Sequence, residues 1–380
     1  MKKKYIVLSI ITLVLLITFV TSFNYFKTSN TYVENNSNNQ TKITKGISMN
    51  LEKTAGAGDY KQVTQSSWPT EGYKFNAELS KCENGGEISW DDTKKAVIVS
   101  GNLSDKCYVY FDIYQLTLAE YIKSQYTGTQ GDNALYYHNS TLTNGAGDNS
   151  YRYAGASDSV NNYICLGSDV ATCPDANLFR IIGVFGDKTK VIRAKSVGYQ
   201  QWHTSADNTW SSSSLNAYLN GTYLTSLGTI AEKIATTTWK VGGGSGSNIS
   251  ASVPKTAYKN EVGSSASTTI IDKKIGLMYV SDYGFAASPS AWTKTLGDYD
   301  GTDANGTSIK TINWMYMGYN EWTISRDSDY SLNAFYVYYA GYVSYNTVGY
   351  DLGVRPSFNL ESSVKYVSGS GSMSDPVRVN

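Results

Sequence analysis

Apolar residues along this chain fall into short runs that alternate with polar positions or end at glycine, serine, threonine and asparagine. Cys107, Val109 and Phe111 alternate with two tyrosines, which predicts a strand with one buried face. Leu178–Phe185 and Lys190–Lys195 are joined by a Gly-Asp turn and predict a hairpin. The pattern is typical of a turn-rich protein in which β-structure dominates.

Helix signals are fewer. Thr117 and Glu120 form a capping box, so a short helix is expected to follow. In Trp210–Gly221, serines supply the N-cap, and Asn220-Gly221 is expected to end the helix. Gly242–Thr269, opened by GGGSGS, is predicted to be a polar insertion loop. Strands with a few helices place the chain in the α+β class.

The N-terminus has a different pattern. Three lysines precede Tyr5–Phe23, a 19-residue apolar run interrupted only by serine and threonine. A helix of this length spans about 30 Å of hydrocarbon, and the lysines favour a cytoplasmic N-terminus. We therefore predict a signal-anchor helix at residues 1–23 and a single-pass cell-membrane protein whose bulk is extracellular. The alternative is a cleaved signal peptide, since Val20-Thr21-Ser22 offers small residues, and the chain would then be secreted.

Composition divides the rest of the chain. Residues 24–46, rich in asparagine, threonine and serine, predict a flexible stalk. Residues 47–113 predict a small all-β domain with a hairpin around Asp91-Asp92. Residues 114–162 are expected to form the short helix and a polar connector, and residues 163–380 the main domain.

Charge and cysteine content limit the function classes. Lysine plus arginine and aspartate plus glutamate both total 32, so no overall positive charge favours a nucleic-acid partner. Four cysteines allow three pairings, and the local architecture favours Cys82–Cys107 and Cys165–Cys173. A zinc site is not expected, because no CxxC pair occurs and the chain has only two histidines.

The segment Ala334–Asn346, AFYVYYAGYVSYN, contains five tyrosines. A three-residue loop ending at a left-handed Gly341 would place Val337, Val343 and Phe335 on one inner face. Tyrosine offers contact area, a hydroxyl group and little rotamer entropy, which suits a binding surface. The alternative is that a neighbouring loop covers the rings. The side chains predicted to line the outer face and bind a ligand are Tyr336, Tyr338, Tyr342, Ser344 and Asn346.

Catalytic motifs are weak. The chain has no G-x-S-x-G or Walker sequence, and its two histidines lie far from any evident nucleophile. Catalysis is therefore not predicted, and no cofactor is expected. Asp298, Asp300 and Asp303 offer oxygen ligands for a calcium ion, although their spacing is not that of an EF-hand.

Five motifs occur in a recognisable order, namely LFRIIGV from Leu178, Trp210 with Leu215-Asn216, Trp322-Thr-Ile-Ser325, the Ala334–Val343 segment and Gly353-Val-Arg-Pro356. Over Cys165–Asn380 they resemble an uncharacterised bacterial domain of the DUF6273 type, with a C-type-lectin-like or sulfatase-modifying-factor-like fold. Upstream, Cys82-x-Asn84-Gly85 and Cys107-Tyr-Val-Tyr-Phe111 look like an accessory domain of exported proteins in Gram-positive anaerobes.

This resemblance implies a twisted antiparallel sheet with long loops. It implies structural roles for Trp322 and Arg355, the arginine meeting a carboxylate or backbone carbonyls. Gly341 is expected to be structural because it ends the hairpin loop. The cysteine pair of formylglycine-generating oxidases lies late in the domain, whereas Cys165 and Cys173 lie at its start, which argues against that activity. The calcium-binding tripeptides of sugar-binding lectins are also missing.

The sequence thus predicts a membrane-anchored, extracellular recognition protein that binds a protein or glycan ligand through a tyrosine-rich face. Two alternatives stay open. One is an exported enzyme acting on cell-wall or host glycans with a carboxylate pair in a cleft, and the other is a purely architectural envelope protein.

Overall fold

The computed structural model describes residues 31–32, 46–64, 67–69, 72–101, 105–242, 244, 249–263 and 269–380. The chain forms two compact units, Met1–Gln115 and Leu116–Asn380. The predicted membrane anchor at residues 1–23 lies outside the described residues, as does most of the predicted stalk. Within the ranges given above, no helix is long and apolar enough to cross a membrane.

The first unit is built from strands. These are β1 (Thr31–Tyr32), β2 (Ile47–Glu52), β3 (Tyr60–Val63), β4 (Tyr73–Cys82), β5 (Glu87–Asp91), β6 (Ala96–Ser100) and β7 (Cys107–Ile113). One sheet has the order β3-β2-β7-β4 and another the order β1-β6-β5. The predicted hairpin is confirmed as β5–β6. Strand β1, at residues 31–32 of the predicted stalk, pairs with β6.

The core of the first unit lies against β7. Its buried and half-buried side chains alternate, with Val109 and Phe111 fully buried, which confirms the predicted one-faced strand. The rings of Phe75 and Trp90 pack edge-on against Phe111 with centroids 6.0 and 5.6 Å away. The Cys82–Cys107 disulfide joins β4 to β7 as predicted.

The second unit mixes many strands with a few short helices. Its strands are β8 (Leu135–Tyr137), β9 (Tyr151–Tyr153), β10 (Tyr163–Cys165), β11 (Leu178–Phe185), β12 (Lys188–Arg193), β13 (Tyr199–Gln201), β14 (Thr237–Val241), β15 (Thr269–Lys273), β16 (Ile275–Gly276), β17 (Glu321–Arg326), β18 (Asn333–Val337), β19 (Val343–Thr347), β20 (Asp351–Gly353), β21 (Ser357–Leu360), β22 (Tyr366–Ser368) and β23 (Val377–Val379). Its α-helices are α1 (Leu118–Ser124), α2 (Ser214–Tyr218), α3 (Leu224–Ser226), α4 (Pro254–Glu261) and α5 (Val280–Ala286).

The main sheet of this unit, here called the large sheet, has the order β16-β21-β12-β11-β10-β23-β22. Strand β11 is buried along nearly its whole length because it is central, and β11–β12 confirms the predicted hairpin. Strand β9 pairs with β11 and β8 pairs with β9. The segment 114–162, predicted to be a helix and connector, therefore contributes strands to the large sheet. The Cys165–Cys173 pairing is also confirmed.

A second sheet, here called the tyrosine sheet, has the order β13-β20-β17-β18-β19. Strand β18 lies between β17 and β19, whereas β19 is an edge strand. Trp202 and Trp322 are buried, and their indole N–H groups donate to the backbone oxygens of Thr323 and Gln200. These bonds hold β13 to β17.

The helices begin as predicted but depart from expectation in two other places. The predicted capping box of α1 and a serine cap on α2, at Ser213, are both present. The predicted stop at Asn220-Gly221 is wrong, since a π-helical turn (Leu219–Tyr223) carries the chain into α3. The Asn220 amide bonds to Asn216 and to the backbone of Ile275 instead of ending the helix. The predicted insertion loop also contains α4, whose buried Ala257 anchors it.

Candidate functional site: a tyrosine surface at a hairpin turn

The hairpin β18–β19 has the register that the sequence predicts. Val337 pairs with Val343 and Phe335 pairs with Tyr345. The Tyr338 N–H donates to the Tyr342 oxygen at 2.8 Å, and the turn closes through Gly341, whose φ is +108°. Glycine is favoured here because L side chains rarely adopt such a φ. The two valines and Phe335 are buried, which confirms the inner face.

The outer face is only partly as predicted. Tyr336 is 7% exposed, so its predicted exposure is wrong. Its ring packs edge-on against Trp322 of the neighbouring strand β17 with centroids 6.1 Å apart, and this contact contributes to its burial. Tyr338, Tyr342, Ser344 and Asn346 are half-buried. The face therefore offers ring edges and polar tips, and not a stripe of fully exposed rings.

The turn itself presents a further aromatic side chain. Tyr339 is 53% exposed, and sequence reasoning treated it only as part of the loop. Its ring centroid lies 4.2 Å from that of Tyr338, which in turn lies 4.8 Å from Tyr342. Three phenol rings thus form one contiguous group at the tip of the hairpin.

Polar contacts hold this turn in place. The Tyr316 hydroxyl donates to the Tyr339 backbone oxygen at 2.6 Å, and the Tyr339 N–H donates to Asn320 Oδ1 at 2.8 Å. The buried Tyr283 hydroxyl donates to the Gly341 oxygen at 2.6 Å. A turn fixed by three separate side chains loses little conformational entropy when a ligand binds.

Two more tyrosines lie at the same end of the tyrosine sheet. In the sheet register, Tyr199 on β13 lies opposite Gly353 on β20, and Gly353 lies opposite Glu321 on β17. Glu321 in turn lies opposite Val337 on β18, next to the hairpin tip. The ring centroids of Tyr199 and Tyr319 are 6.4 Å apart. The tyrosine surface is defined here as Tyr199, Tyr316, Tyr319, Tyr338, Tyr339 and Tyr342. Sequence reasoning missed Tyr316 and Tyr319, although the tyrosine-rich stretch MYMGYN before β17 was a signal that could have indicated them.

A buried ion pair lies behind this surface. Arg355 Nε and Nη2 donate to the Glu321 carboxylate at 2.5 and 2.9 Å, and Nη2 also donates to the Met315 oxygen. Both charged side chains are at most 2% exposed. A paired arginine and carboxylate of this kind fix strand β17 against the segment after β20. These are the contacts that the family resemblance implies for Arg355.

The phenols of Tyr316, Tyr319 and Tyr338 are neutral at pH 7. Interaction with the Tyr339 side chain, together with desolvation, raises the pKa of Tyr338 to about 12. Burial raises the pKa of Tyr319 to about 12 and also raises the pKa of Tyr316. Ligand contact here would therefore rely on apolar area and neutral hydrogen bonds.

A second feature of the unit is a cavity of about 240 Å³ beside a buried charge cluster. Lys190 Nζ lies 2.5 Å from Asp282 Oδ2, and Arg152 bridges Asp282 and Asp148. Trp239, Tyr258 and Tyr279 form much of the wall. Sequence reasoning missed this cluster because its members are far apart along the chain and form no motif.

Asp303, one of the three aspartates expected to offer calcium ligands, bonds to backbone N–H groups. Asp303 Oδ1 accepts the backbone N–H groups of Asn305 and Thr307, as in an ordinary turn. Among the described residues, no group of three or more histidine, cysteine or acidic side chains is arranged to hold a metal ion.

Comparison with known families gives one match. Residues 186–362 match the model of a domain of unknown function (DUF6273), which supports an uncharacterised domain in this part of the chain. No curated protein and no solved structure matches the chain. The matched segment contains every strand of the tyrosine sheet, together with Lys190 and Asp282.

Proposed function

We propose that this chain is a membrane-anchored, extracellular recognition protein whose tyrosine surface binds a protein or glycan ligand. The observation that carries the proposal is the contact among the rings of Tyr338, Tyr339 and Tyr342 at a hairpin tip that hydrogen bonds from Tyr283 and Tyr316 hold in place. The distribution of exposed tyrosines supports the tyrosine sheet as the binding region. Among the described residues, the five tyrosines that are 45–62% exposed all lie on the tyrosine sheet or in its connecting loops, at positions 199, 330, 339, 345 and 350. Exposed aromatic groups concentrated on one sheet are typical of recognition sites.

The rigid hairpin tip favours one end of this sheet as the ligand-binding site. Tyr338, Tyr339 and Tyr342 contact one another and are held by Tyr283 and Tyr316, which is the preorganisation that tyrosine-based binding surfaces use. We propose a C-type-lectin-like arrangement for this unit, since sheets joined by long irregular segments and short helices are what that fold has. Neutral aromatic contact does not require the calcium ion of sugar-binding lectins.

The competing enzyme hypothesis needs a free carboxylate in a cleft. Asp282, the acidic side chain lining the 240 Å³ cavity, is already paired with Lys190 and Arg152. An architectural envelope protein, without a discrete ligand, would show no selective binding. The experiment below distinguishes these two hypotheses from the recognition proposal.

The test is a screen of the full chain against glycan and protein arrays, followed by affinity measurements. Tyr338→Ala/Tyr342→Ala should lower affinity by about 10-fold or more. The matched control is Tyr330→Ala/Tyr350→Ala, which removes two exposed rings from the loops at the other end of hairpin β18–β19 and should change affinity by less than about 2-fold. Full binding by a folded Tyr338→Ala/Tyr342→Ala variant would refute the site. Turnover of an array glycan would favour the enzyme.

We also propose that residues 1–23 anchor the chain in the cell membrane. Protease treatment of intact cells should remove the bulk of the chain, and the mass of the native N-terminus should include Lys2–Phe23. A native chain that begins after Ser22 would instead favour a cleaved signal peptide and a secreted protein.

A further inference from the structure

Lys190 and Asp282 are the closest oppositely charged buried side chains beside the cavity. Lys190 Nζ lies 2.5 Å from Asp282 Oδ2, although the residues are 92 positions apart. Their side chains are 6% and 2% exposed. Strand β12 supplies the lysine and the first turn of α5 supplies the aspartate. The amine and the carboxyl are therefore fixed in contact across the unit.

Aromatic rings lie around the amine and limit its contact with water. Lys190 Nζ lies 4.4 Å from the ring centroid of Tyr279, 5.4 Å from that of Trp239 and 5.8 Å from that of Phe185. Burial lowers the pKa of Lys190, although Asp282 opposes this effect. In such surroundings a neutral amine is favoured over an ammonium ion, and the neutral amine is the form that can attack a carboxyl carbon.

We propose that Lys190 and Asp282 condense to form an intramolecular isopeptide bond. The Lys190 Nζ–Asp282 Cγ bond forms, and the Cγ–Oδ2 bond of Asp282 breaks. The oxygen leaves as water with two of the three ammonium protons, and the third stays on the amide nitrogen. No oxidant, reductant or co-reactant is needed, because an ammonium and a carboxylate become an amide and one water molecule.

Neighbouring groups are placed to assist this step. Arg152 Nη1 lies 3.5 Å from Asp282 Oδ1, where its positive charge stabilises negative charge on the oxygen that stays. The Tyr279 N–H donates to Oδ2 at 2.9 Å and holds the carboxyl in position. The buried Glu261 accepts the N–H groups of Val280 and Ser281, which fixes the first turn of α5 and with it the position of Asp282. The adjoining cavity offers space for the released water.

The chain contains a matched control for the environment. Lys195 Nζ lies 2.6 Å from Asp175 Oδ2, almost the same separation, but these side chains are 59% and 64% exposed. Water stabilises both charges there, so the pair should remain ionic. Contact distance alone would predict the same chemistry at both sites, whereas burial predicts it only at Lys190.

Peptide mapping by mass spectrometry of the reduced, denatured full chain tests the proposal. The expected result is a branched peptide containing Lys190 and Asp282, lighter than the two linear peptides by one water molecule, with Lys195 and Asp175 in linear peptides. Lys190→Arg should abolish the branched peptide. Recovery of Lys190 and Asp282 only in linear peptides from the wild-type chain would overturn the proposal, whether or not the variant folds. A water-mass loss located elsewhere would overturn it too.

Discussion

The hydroxyl of Tyr283 donates a 2.6 Å hydrogen bond to the backbone oxygen of Gly341 at the tip of hairpin β18–β19. Tyr283 is fully buried, and its ring lies 6.0 Å from that of Tyr299. The core of the second unit therefore reaches the turn that presents the exposed tyrosines. This phenol links core packing to the geometry of the tyrosine surface.

Tyr283→Phe should loosen the turn without unfolding the unit. The loss of one buried hydrogen bond costs about 1 kcal/mol, so amides at 338–342 should exchange hydrogen about 5-fold faster. Tyr299→Phe is the matched control, because its hydroxyl bonds to the Gly284 oxygen and not to the turn. Equal exchange rates at 338–342 in both variants would contradict a specific role for Tyr283.

Gly341→Ala should destabilise the second unit by about 3 kcal/mol in urea unfolding. A Cβ at this position would lie 2.7 Å from Lys310 Cγ and 3.2 Å from the Tyr299 oxygen, and φ is +108°. Gly306→Ala is the control, since φ is +80° but the space around it is open, and it should cost about 1 kcal/mol. Equal costs would mean that backbone strain, and not crowding, restricts position 341.

Local chemistry explains what the sequence predicted well. The register of β18–β19 follows from one glycine and from the segregation of Val337 and Val343, because a one-residue slip would reverse every side chain. The capping box at Thr117 depends only on residues three positions apart. Features set by residues adjacent in sequence were therefore accessible.

Features set by segments far apart along the chain could not be predicted from the sequence. The burial of Tyr336 depends on Trp322 in the neighbouring strand and on β18 being an inner strand. The expected helix stop at Asn220 was overridden by its contact with Ile275, 55 positions away. The Lys190–Asp282 pair joins segments that no local pattern connects. Tertiary contacts decided these cases.

Glu321→Gln should be strongly destabilising. It would leave Arg355 charged and buried, and Arg355 Nη1 already has no hydrogen-bond partner among the described residues. Breaking a buried pair by neutralising one member costs about 3–5 kcal/mol. Urea unfolding measures the loss. Asp175→Asn, which breaks the exposed pair with Lys195, should cost less than about 1 kcal/mol, and a similar cost for both would argue against a buried pair at Arg355.

His138 should make the second unit sensitive to mild acid. Its Nδ1 accepts the Ala146 N–H, and its ring is buried against Phe285 and Trp292. Burial, and then the charge of Arg152, hold the pKa of His138 well below its ordinary value. The folded chain therefore takes up the proton at lower pH than the unfolded chain does. The free energy of unfolding therefore keeps its full value above about pH 6.5 and falls by up to about 1.4 kcal/mol for each pH unit below it.

Urea unfolding at about pH 7 and about pH 5.5 measures this loss, and His138→Gln, which does not titrate, should reduce it by about 1 kcal/mol. Asp148 does not interfere in this range, since Arg152 and hydrogen bonds from Ser150 outweigh burial and lower its pKa. His203→Gln replaces the other histidine of the chain, and comparing the two variants shows how much of the loss depends on His138. An unchanged acid loss in His138→Gln would show that His138 is not its source.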